Sequence, residues 1–350
     1  METKPMTSAP SFALTYLHIR ELRGLRSLTL PEDGLVWEGR FPPLTVLAGA
    51  NGSGKTTLLR CITQAAMMLV SEPGEIPTEV DASECRMDFL VSDGTGAACS
   101  LRFIVGDKAF LNAQISDHFW GCVRVPGKPQ SPRVGFVTVL RKAVGRQESF
   151  VASSWPRIVF LPSEDRDLVV PNTQYMSPGK LEDTAGFVAS WKRPTGWQGS
   201  TLELLFSARW ADLNAKEEGH PDEATNFDTY AKAFADLNGG RKRLAWTRKG
   251  DLVVELEGGT THPIQDLSSG ERQALLLLAE LRRRWRPGSL VLIDELELHL
   301  HDAWQGQLLD VLRAMQTELG GQVIVTTQSH SLFEMAPLGT RAILGRGGLR

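Results

Sequence analysis

At 350 residues the chain is long enough to bury one large α/β core or two small ones, so size does not limit stability. Composition is that of an ordinary globular protein, 42% hydrophobic and 23% charged, and a net charge of -3 excludes a broadly basic nucleic-acid-binding domain. The four cysteines, Cys61, Cys85, Cys99 and Cys122, lack C-x-x-C spacing, which argues against a zinc site or disulfide framework and for reduced thiols in a cytoplasmic protein. No apolar run approaches the ~20 residues that cross a bilayer, and no leader pattern opens the chain, so no membrane insertion is expected.

Residues 1–12, rich in Pro, Ser and Thr, read as a frayed start. Leu17, Ile19, Leu25, Leu28 and Leu30 then alternate with polar residues, predicting two half-buried strands around Arg23-Gly24. Leu44 to Ala48 is a continuous apolar run and reads as a fully buried strand. It passes through Gly49-Ala50-Asn51-Gly52-Ser53-Gly54-Lys55-Thr56-Thr57 into a segment ending near Val70 that carries Leu58, Leu59, Ile62, Ala66 and Met67 on a helical period. Gly49, Gly54, Lys55 and Thr56 fill the G-x-x-x-x-G-K-[ST] spacing of a phosphate-binding P-loop, in the strand-turn-helix context that it requires. Glycines let successive N–H groups curl around a phosphate, and the helix N-terminus favours the same anion. Lys55 is expected to bridge the β- and γ-phosphates of ATP, and Thr56 to hold Mg²⁺.

Between Cys85 and Val139 the pattern changes to short strands, among them Arg86 to Val91, Ser100 to Val105 and Val134 to Leu140, expected to form an antiparallel layer. Arg157 to Leu161 is another apolar strand, stopping at Pro162-Ser163-Glu164. Residues 165–200 show little periodicity, whereas Thr201 to Ala215 and Asn226 to Leu237 read as amphipathic helices joined by a charged linker. In the last third, Leu252 to Leu256 is a short strand, Asp266 to Glu271 a polar turn and Arg272 to Arg284 an apolar helix. Ser289 to Glu295 is a buried strand ending in two carboxylates. A helix from Asp302 to Leu319, the turn Gly320-Gly321 and a strand from Gln322 to Thr326 complete the βαβ alternation of a mostly parallel sheet.

An apolar strand ending in Asp294-Glu295 is what a Walker B element needs. Asp294 can reach the metal held by Thr56, and Glu295 can orient or deprotonate the attacking water. Ser268-Ser269-Gly270-Glu271 before an apolar helix reads as an N-cap with Glu in the first turn. It also resembles the signature motif of ABC-type ATPases, whose order along the chain is P-loop, signature, Walker B. The string Asp294-Glu295-Leu296-Glu297-Leu298-His299-Leu300-His301 is similar to the D-E-P-E-x-H-L-H segment of the OLD/RecF-like ATPases, a branch of the ABC/SMC group associated with DNA transactions and phage defence.

The resemblance implies an α/β P-loop NTPase of ABC type: a mostly parallel core sheet, an antiparallel β layer and an inserted helical lobe, without a long coiled coil. It implies one ATPase domain over 1–350 in two lobes, with a nucleotide-binding core at 1–164 and 250–350 and a mainly helical insertion at 165–249. In such proteins two copies sandwich ATP, so Ser269 and the Gly270 backbone of one copy would complete the site of the other. The implied partners are a second copy, a separate effector protein such as a nuclease, and a DNA contact through a local patch. A transporter energy subunit and a non-hydrolysing ATP switch are the rival readings. Two features depart from the branch. Its Thr-Thr-His-Ser strand end is Thr326-Thr327-Gln328-Ser329 here, followed by His330, so Gln328 or His330 takes the catalytic sensing role. No glutamine follows the strand at Phe160, where a Q-loop would stand. Arg282-Arg283-Arg284-Trp285-Arg286 reads as cations at a helix C-terminus, or alternatively as a nucleic-acid contact.

Overall fold

The structure, a computed structural model, describes residues 11–22, 25, 27–31, 41–70, 82–92, 98–107, 109–110, 121–124, 156–163, 188–190, 197–220, 226–345 and 348–349. The expected strand at 134–140, the Arg23-Gly24 turn, Glu164 and most of the irregular stretch 165–200 lie outside these residues.

β1 (Ser11–Leu22) and β2 (Leu28–Leu30) form the hairpin expected from the alternating leucines, with Leu17 opposite Leu30 and Ile19 opposite Leu28. β1 also pairs with β4 (Ala82–Ser92), β4 with β5 (Ala98–Val105), and β5 runs parallel to β6 (Gly121–Arg124), giving a five-stranded sheet in the order β2-β1-β4-β5-β6. This is the added layer, antiparallel except at its β5-β6 edge.

The main sheet has seven strands: β3 (Leu44–Gly49), β7 (Ile158–Leu161), β8 (Val188–Ser190), β12 (Leu290–Ile293), β13 (Gln322–Thr327), β14 (Arg341–Gly345) and β15 (Gly348–Leu349). Their order is β15-β14-β3-β13-β12-β7-β8, parallel throughout except for β15. A parallel sheet is covered on both faces, which is why its strands are unbroken apolar runs. The period of two then decides which core each residue joins. Leu290, Leu292, Ile158 and Phe160 pack with α1 (Lys55–Val70) and the inner face of the five-stranded sheet. Val291, Ile293, Val159 and Leu161 face the opposite core, built by helices that follow later in the chain. Gln322 stitches the two sheets together: the Leu14 N–H donates to its Oε1 at 2.9 Å, and its Nε2 donates to the Leu14 carbonyl at 3.1 Å. A buried amide thus stands in for a neighbouring strand.

A third core joins α2 (Trp197–Glu217) and α3 (Asn226–Leu237) to a small antiparallel sheet of β9 (Lys242–Trp246), β10 (Leu252–Leu256) and β11 (Thr261–Pro263). Leu275 and Leu276 of α4 (Ser269–Arg284) complete it, so α4 serves two cores at once and is apolar on most of its circumference. Asp212 fixes the start of α3, accepting from the N–H groups of Asn226 and Phe227, each at 2.9 Å. Two further helices, α5 (Asp302–Leu319) and α6 (His330–Met335), cover the main sheet beside α4.

The arginine run at the end of α4 is occupied within the fold. Arg284 donates to the fully buried Glu280 at 2.6 Å, Arg283 lies 3.8 Å from the same carboxylate, and Arg282 pairs with Glu318 at 3.2 Å. Thr201 of α2 donates to Glu280 at 3.4 Å. Burial, and then the Glu280 charge, push the Tyr230 hydroxyl up to about 12. Several short elements, among them β8 and β9, are not in the sequence reading. β8 is only three residues, too few for a period of two to register, and β9 was not separable from the charged turn before it.

Candidate nucleotide and metal site

The P-loop turn lies between β3 and α1, at the carboxyl end of the parallel strands. Gly52 and Gly54 have φ of 76° and 93°, the left-handed region that disfavours any side chain. A Cβ on Gly54 would also stand 2.6 Å from Leu25, the hairpin residue packed beneath the loop, and one on Gly49 would stand 2.4 Å from Ser53 Oγ. The Ser53 N–H donates back to the Ala50 carbonyl at 3.1 Å. Asn51 and Gly52 are exposed at the outside of the turn, while Lys55 is buried. Lys55 Nζ lies inside the loop, donating to the carbonyls of Gly49 at 2.8 Å and Ala50 at 3.2 Å. Thr56 and Thr57 open the helix behind it.

Register decides what meets the loop. Ile293 is level with Val325 on one side and Leu161 on the other, so Asp294 emerges between Thr326 and Pro162. Its fully buried carboxylate accepts from three hydroxyls: Thr56 at 2.7 Å and Ser163 at 2.8 Å on Oδ2, and Thr326 at 2.6 Å on Oδ1. Thr326 Oγ1 in turn accepts the Glu295 N–H at 3.0 Å. Glu295 itself has φ of 46°, half-buried beside this cluster. The sequence reading paired Asp294 with Thr56 but missed Ser163 and Thr326 as partners. The equal register of adjacent parallel strands is the signal that finds Thr326.

The turn after Glu295 is held to the β13 exit. Glu297 is buried, and its Oε1 accepts the Gln328 N–H at 2.6 Å. Its Oε2 is shielded from solvent and has no hydrogen-bond partner among the described residues. Gln305 donates to the Leu300 carbonyl at 3.1 Å and accepts from Ser329 Oγ at 2.6 Å, while Ser329 also caps α6. The Gln328 side chain is exposed at the strand end, and His330 is the exposed first residue of α6.

The Ser268 stretch forms a second cluster. Ser268 caps α4 in a full capping box, accepting from the Glu271 N–H at 3.3 Å while its own N–H donates to Glu271 at 2.8 Å. Lys242 of β9 pairs with the same carboxylate at 2.5 Å. Burial pushes the Glu271 carboxyl up, but the Lys242 ammonium and the Ser268 donors outweigh it and hold it below its ordinary value. Glu271 is thus engaged on both oxygens, whereas Ser269 is exposed and Gly270 half-buried. Lys242, Ser268, Ser269, Gly270, His299 and Trp304 are among the residues lining a cleft of about 510 Å³ in which no P-loop residue takes part.

A P-loop closed over a carboxylate at the end of the parallel strand next but one, with a capped helix that presents Ser269 and Gly270 elsewhere on the surface, defines a P-loop NTPase fold of ABC type. Within that class, stretches of the chain are similar to AAA-domain families and to ATPases of retron and Rad50 kind, and no long coiled coil occurs among the described residues. Residues 216–334 match the family described as "AAA domain, putative AbiEii toxin, Type IV TA system", and residues 17–110 match an "AAA domain" family. Over 90 residues the chain is 38% identical to the retron Ec83 probable ATPase of Escherichia coli, covering 23% of this chain and 16% of that protein. It is 33% identical over 90 residues to the DNA double-strand break repair Rad50 ATPase of Saccharolobus solfataricus, covering 25% of this chain and 10% of that protein. The chain therefore spans a small part of the length of these relatives. Among solved structures, the Thermotoga maritima SMC head superposes with a TM-score of 0.44 at 13% identity over 95% of this chain and 94% of that one. An SMC head bound to the C-terminal winged-helix domain of ScpA gives 0.44 at 15% identity, covering 97% and 96%.

Proposed function

We propose that the chain binds Mg²⁺ and ATP at its P-loop, hydrolyses the nucleotide, and uses it to join two copies face to face. The observation that carries the reading is the Asp294 carboxylate, gathered with the Thr56 hydroxyl beside a loop that encloses Lys55. A hydroxyl and a carboxylate oxygen within hydrogen-bond reach of one another are hard ligands of the kind Mg²⁺ takes, and that ion completes its shell with phosphates and water. Among the described residues no cluster of three or more His, Cys, Asp or Glu side chains occurs, and such a site needs none. When bound, the ion neutralises charge between the β- and γ-phosphates.

In this reading Lys55 moves its donors from the Gly49 and Ala50 carbonyls to phosphate oxygens. The backbone amides of Ala50 to Thr57 wrap the same anion. Glu295 orients or deprotonates the attacking water, and Gln328 or His330 contacts the γ-phosphate or that water from the β13 exit. Ser269 and the Gly270 N–H serve the nucleotide of the other copy, with Ser268 and Glu271 fixing the helix end that presents them. Two of the relatives, a retron ATPase and a DNA double-strand break repair ATPase, support a role as the ATPase component of a nucleic-acid transaction or phage-defence complex with a separate effector chain. Among the described residues no helix is long and apolar enough to cross a membrane, and a cytoplasmic setting fits the buried free thiols Cys61 and Cys85. Steady-state phosphate release tests the reading: it should be linear with Mg²⁺ and fall at least a hundredfold in Glu295→Gln, the general range for losing a base. Equal rates in both proteins would remove Glu295 from the chemistry.

A further inference from the structure

The small sheet beside α3 leaves one strand edge unpaired. In the antiparallel ladder of β9 and β10, the Thr247 N–H donates to the Asp251 carbonyl at 2.9 Å and the Glu257 N–H to the Arg241 carbonyl at 3.0 Å, on the register that sets Leu244 opposite Val254. Hydrogen-bonded positions alternate along such a pair, so Arg243 and Ala245 also bond inward, and the N–H and C=O groups of Lys242, Leu244 and Trp246 point away from β10. β9 is the outer strand of its sheet, and none of those outward groups has a hydrogen-bond partner among the described residues. A short edge strand can be left to water; what singles out β9 is the space beside it. A groove of about 480 Å³ is lined by Arg243, Leu244, Ala245 and Trp246 together. Successive strand residues point to opposite faces, so a groove that touches all of them runs along the free edge rather than over one face. Its other wall is a stripe of α3, Asp228, Ala231, Lys232 and Ala235, at the i, i+3, i+4, i+7 spacing of one helix face. The two alanines keep that wall low.

The groove is mainly positive. Arg209 of α2, Lys232 and Arg243 line it against the single carboxylate of Asp228. Arg243 already donates to Glu255 at 2.7 Å, whereas Arg209 and Lys232 have no ion-pair or hydrogen-bond partner among the described residues. An oxyanion alone would suit these cations but would meet the outward carbonyls of β9 with repulsion. An extended peptide satisfies both halves of the edge, bringing an N–H to each carbonyl and a carbonyl to each N–H, while its side chains reach the walls. On α2, Trp210 stands one turn beyond Phe206, whose ring packs edge-on against Trp246 at 4.8 Å, and it is 54% exposed. That indole adds apolar area for a protein partner on the same side of the helix. We propose that the groove between α3 and β9 docks an acidic, extended segment of a partner protein, which adds a strand to the β9 edge and sets its carboxylates against Arg209 and Lys232. No P-loop residue lines the groove, so the proposal stands apart from the two-copy reading.

The test titrates the full chain with a labelled peptide of alternating glutamate and valine, which is acidic and prone to an extended conformation. Hydrogen exchange read residue by residue should slow at the Lys242, Leu244 and Trp246 amides when the peptide is bound, and change little at Arg243 and Ala245, which already bond to β10. Lys232→Glu, at an exposed position with no pair to lose, should weaken binding about tenfold or more, as expected for a like-charge contact. Ala235→Phe should weaken it by filling the groove without altering charge, and far-UV circular dichroism of both variants separates loss of binding from loss of fold. N-methylation of alternate peptide residues should abolish binding in one frame and spare it in the other, because only one edge of an added strand pairs with β9. No saturable binding of the unmodified peptide, or binding unchanged by Lys232→Glu in the folded protein, overturns the proposal. Equal effects of N-methylation in the two frames overturn strand addition. Tighter binding of an oligothymidylate of equal charge would assign the groove to nucleic acid and overturn it as well.

Discussion

Glu297 is the side chain whose replacement most sharply separates packing from charge. One carboxylate oxygen accepts the Gln328 N–H at 2.6 Å, and the other is buried without a donor among the described residues. A glutamine can keep the first bond through its carbonyl and place its amide at the second position, so Glu297→Gln removes a buried charge and retains the shape. Glu297→Ala instead leaves the Gln328 N–H without its acceptor, at about 1–3 kcal/mol, and deletes a buried methylene at about 0.8 kcal/mol. Glu297→Gln should therefore exceed Glu297→Ala in stability by about 2–4 kcal/mol, the sum of those two terms. Because desolvating a carboxylate is itself costly, the Gln variant should also match or exceed the parent protein. Urea unfolding of all three proteins, followed by far-UV circular dichroism, measures both differences. A gap between Gln and Ala below about 0.5 kcal/mol, the ordinary scatter of surface substitutions, would refute the tie between the Glu295 turn and the β13 exit.

Three other perturbations follow from the same geometry. Lys55→Ala should abolish measurable ATP binding by titration calorimetry, since it removes the cation enclosed by the loop; unchanged affinity would refute the P-loop assignment. Gly54→Ala should lose ATP binding too, because the new Cβ meets Leu25 at 2.6 Å while φ stays at 93°; wild-type affinity would mean that the loop shifts freely. Glu271 is held below its ordinary value by Lys242 and Ser268, so its stabilising contribution is present above the unfolded carboxyl pKa of about 4.3 and is lost as pH falls through the lowered folded value. The stability gap between the parent and Glu271→Gln should accordingly be widest near neutrality and close in acid; a gap that widens on acidification would contradict the pairing.

Much of this site was legible in the chain because its chemistry is local. The P-loop, the Asp294-Glu295 strand end and the Ser268 cap each sit within one turn or one strand end, where residue type and spacing decide the conformation. What escaped was what long-range register brings together. Ser163 and Thr326 meet Asp294 only because three strands from distant parts of the chain end at one level, and Lys242 reaches Glu271 only once β9 packs against α4. The arginine run reads on the sequence first as cations at a helix C-terminus, which is where it lies, but its partners Glu280 and Glu318 could not be assigned to it from spacing alone.

The most direct test of the account mixes two inactive proteins. Lys55→Ala lacks a working P-loop but keeps Ser269, and Ser269→Arg keeps the P-loop but blocks the face it offers to a second copy. Each alone should release almost no phosphate. Mixed, a pair containing one of each holds one intact composite site, and phosphate release should return to a substantial fraction of the parental rate. A mixture no more active than its components, with both proteins folded and Ser269→Arg still binding ATP, would contradict a site built from two copies.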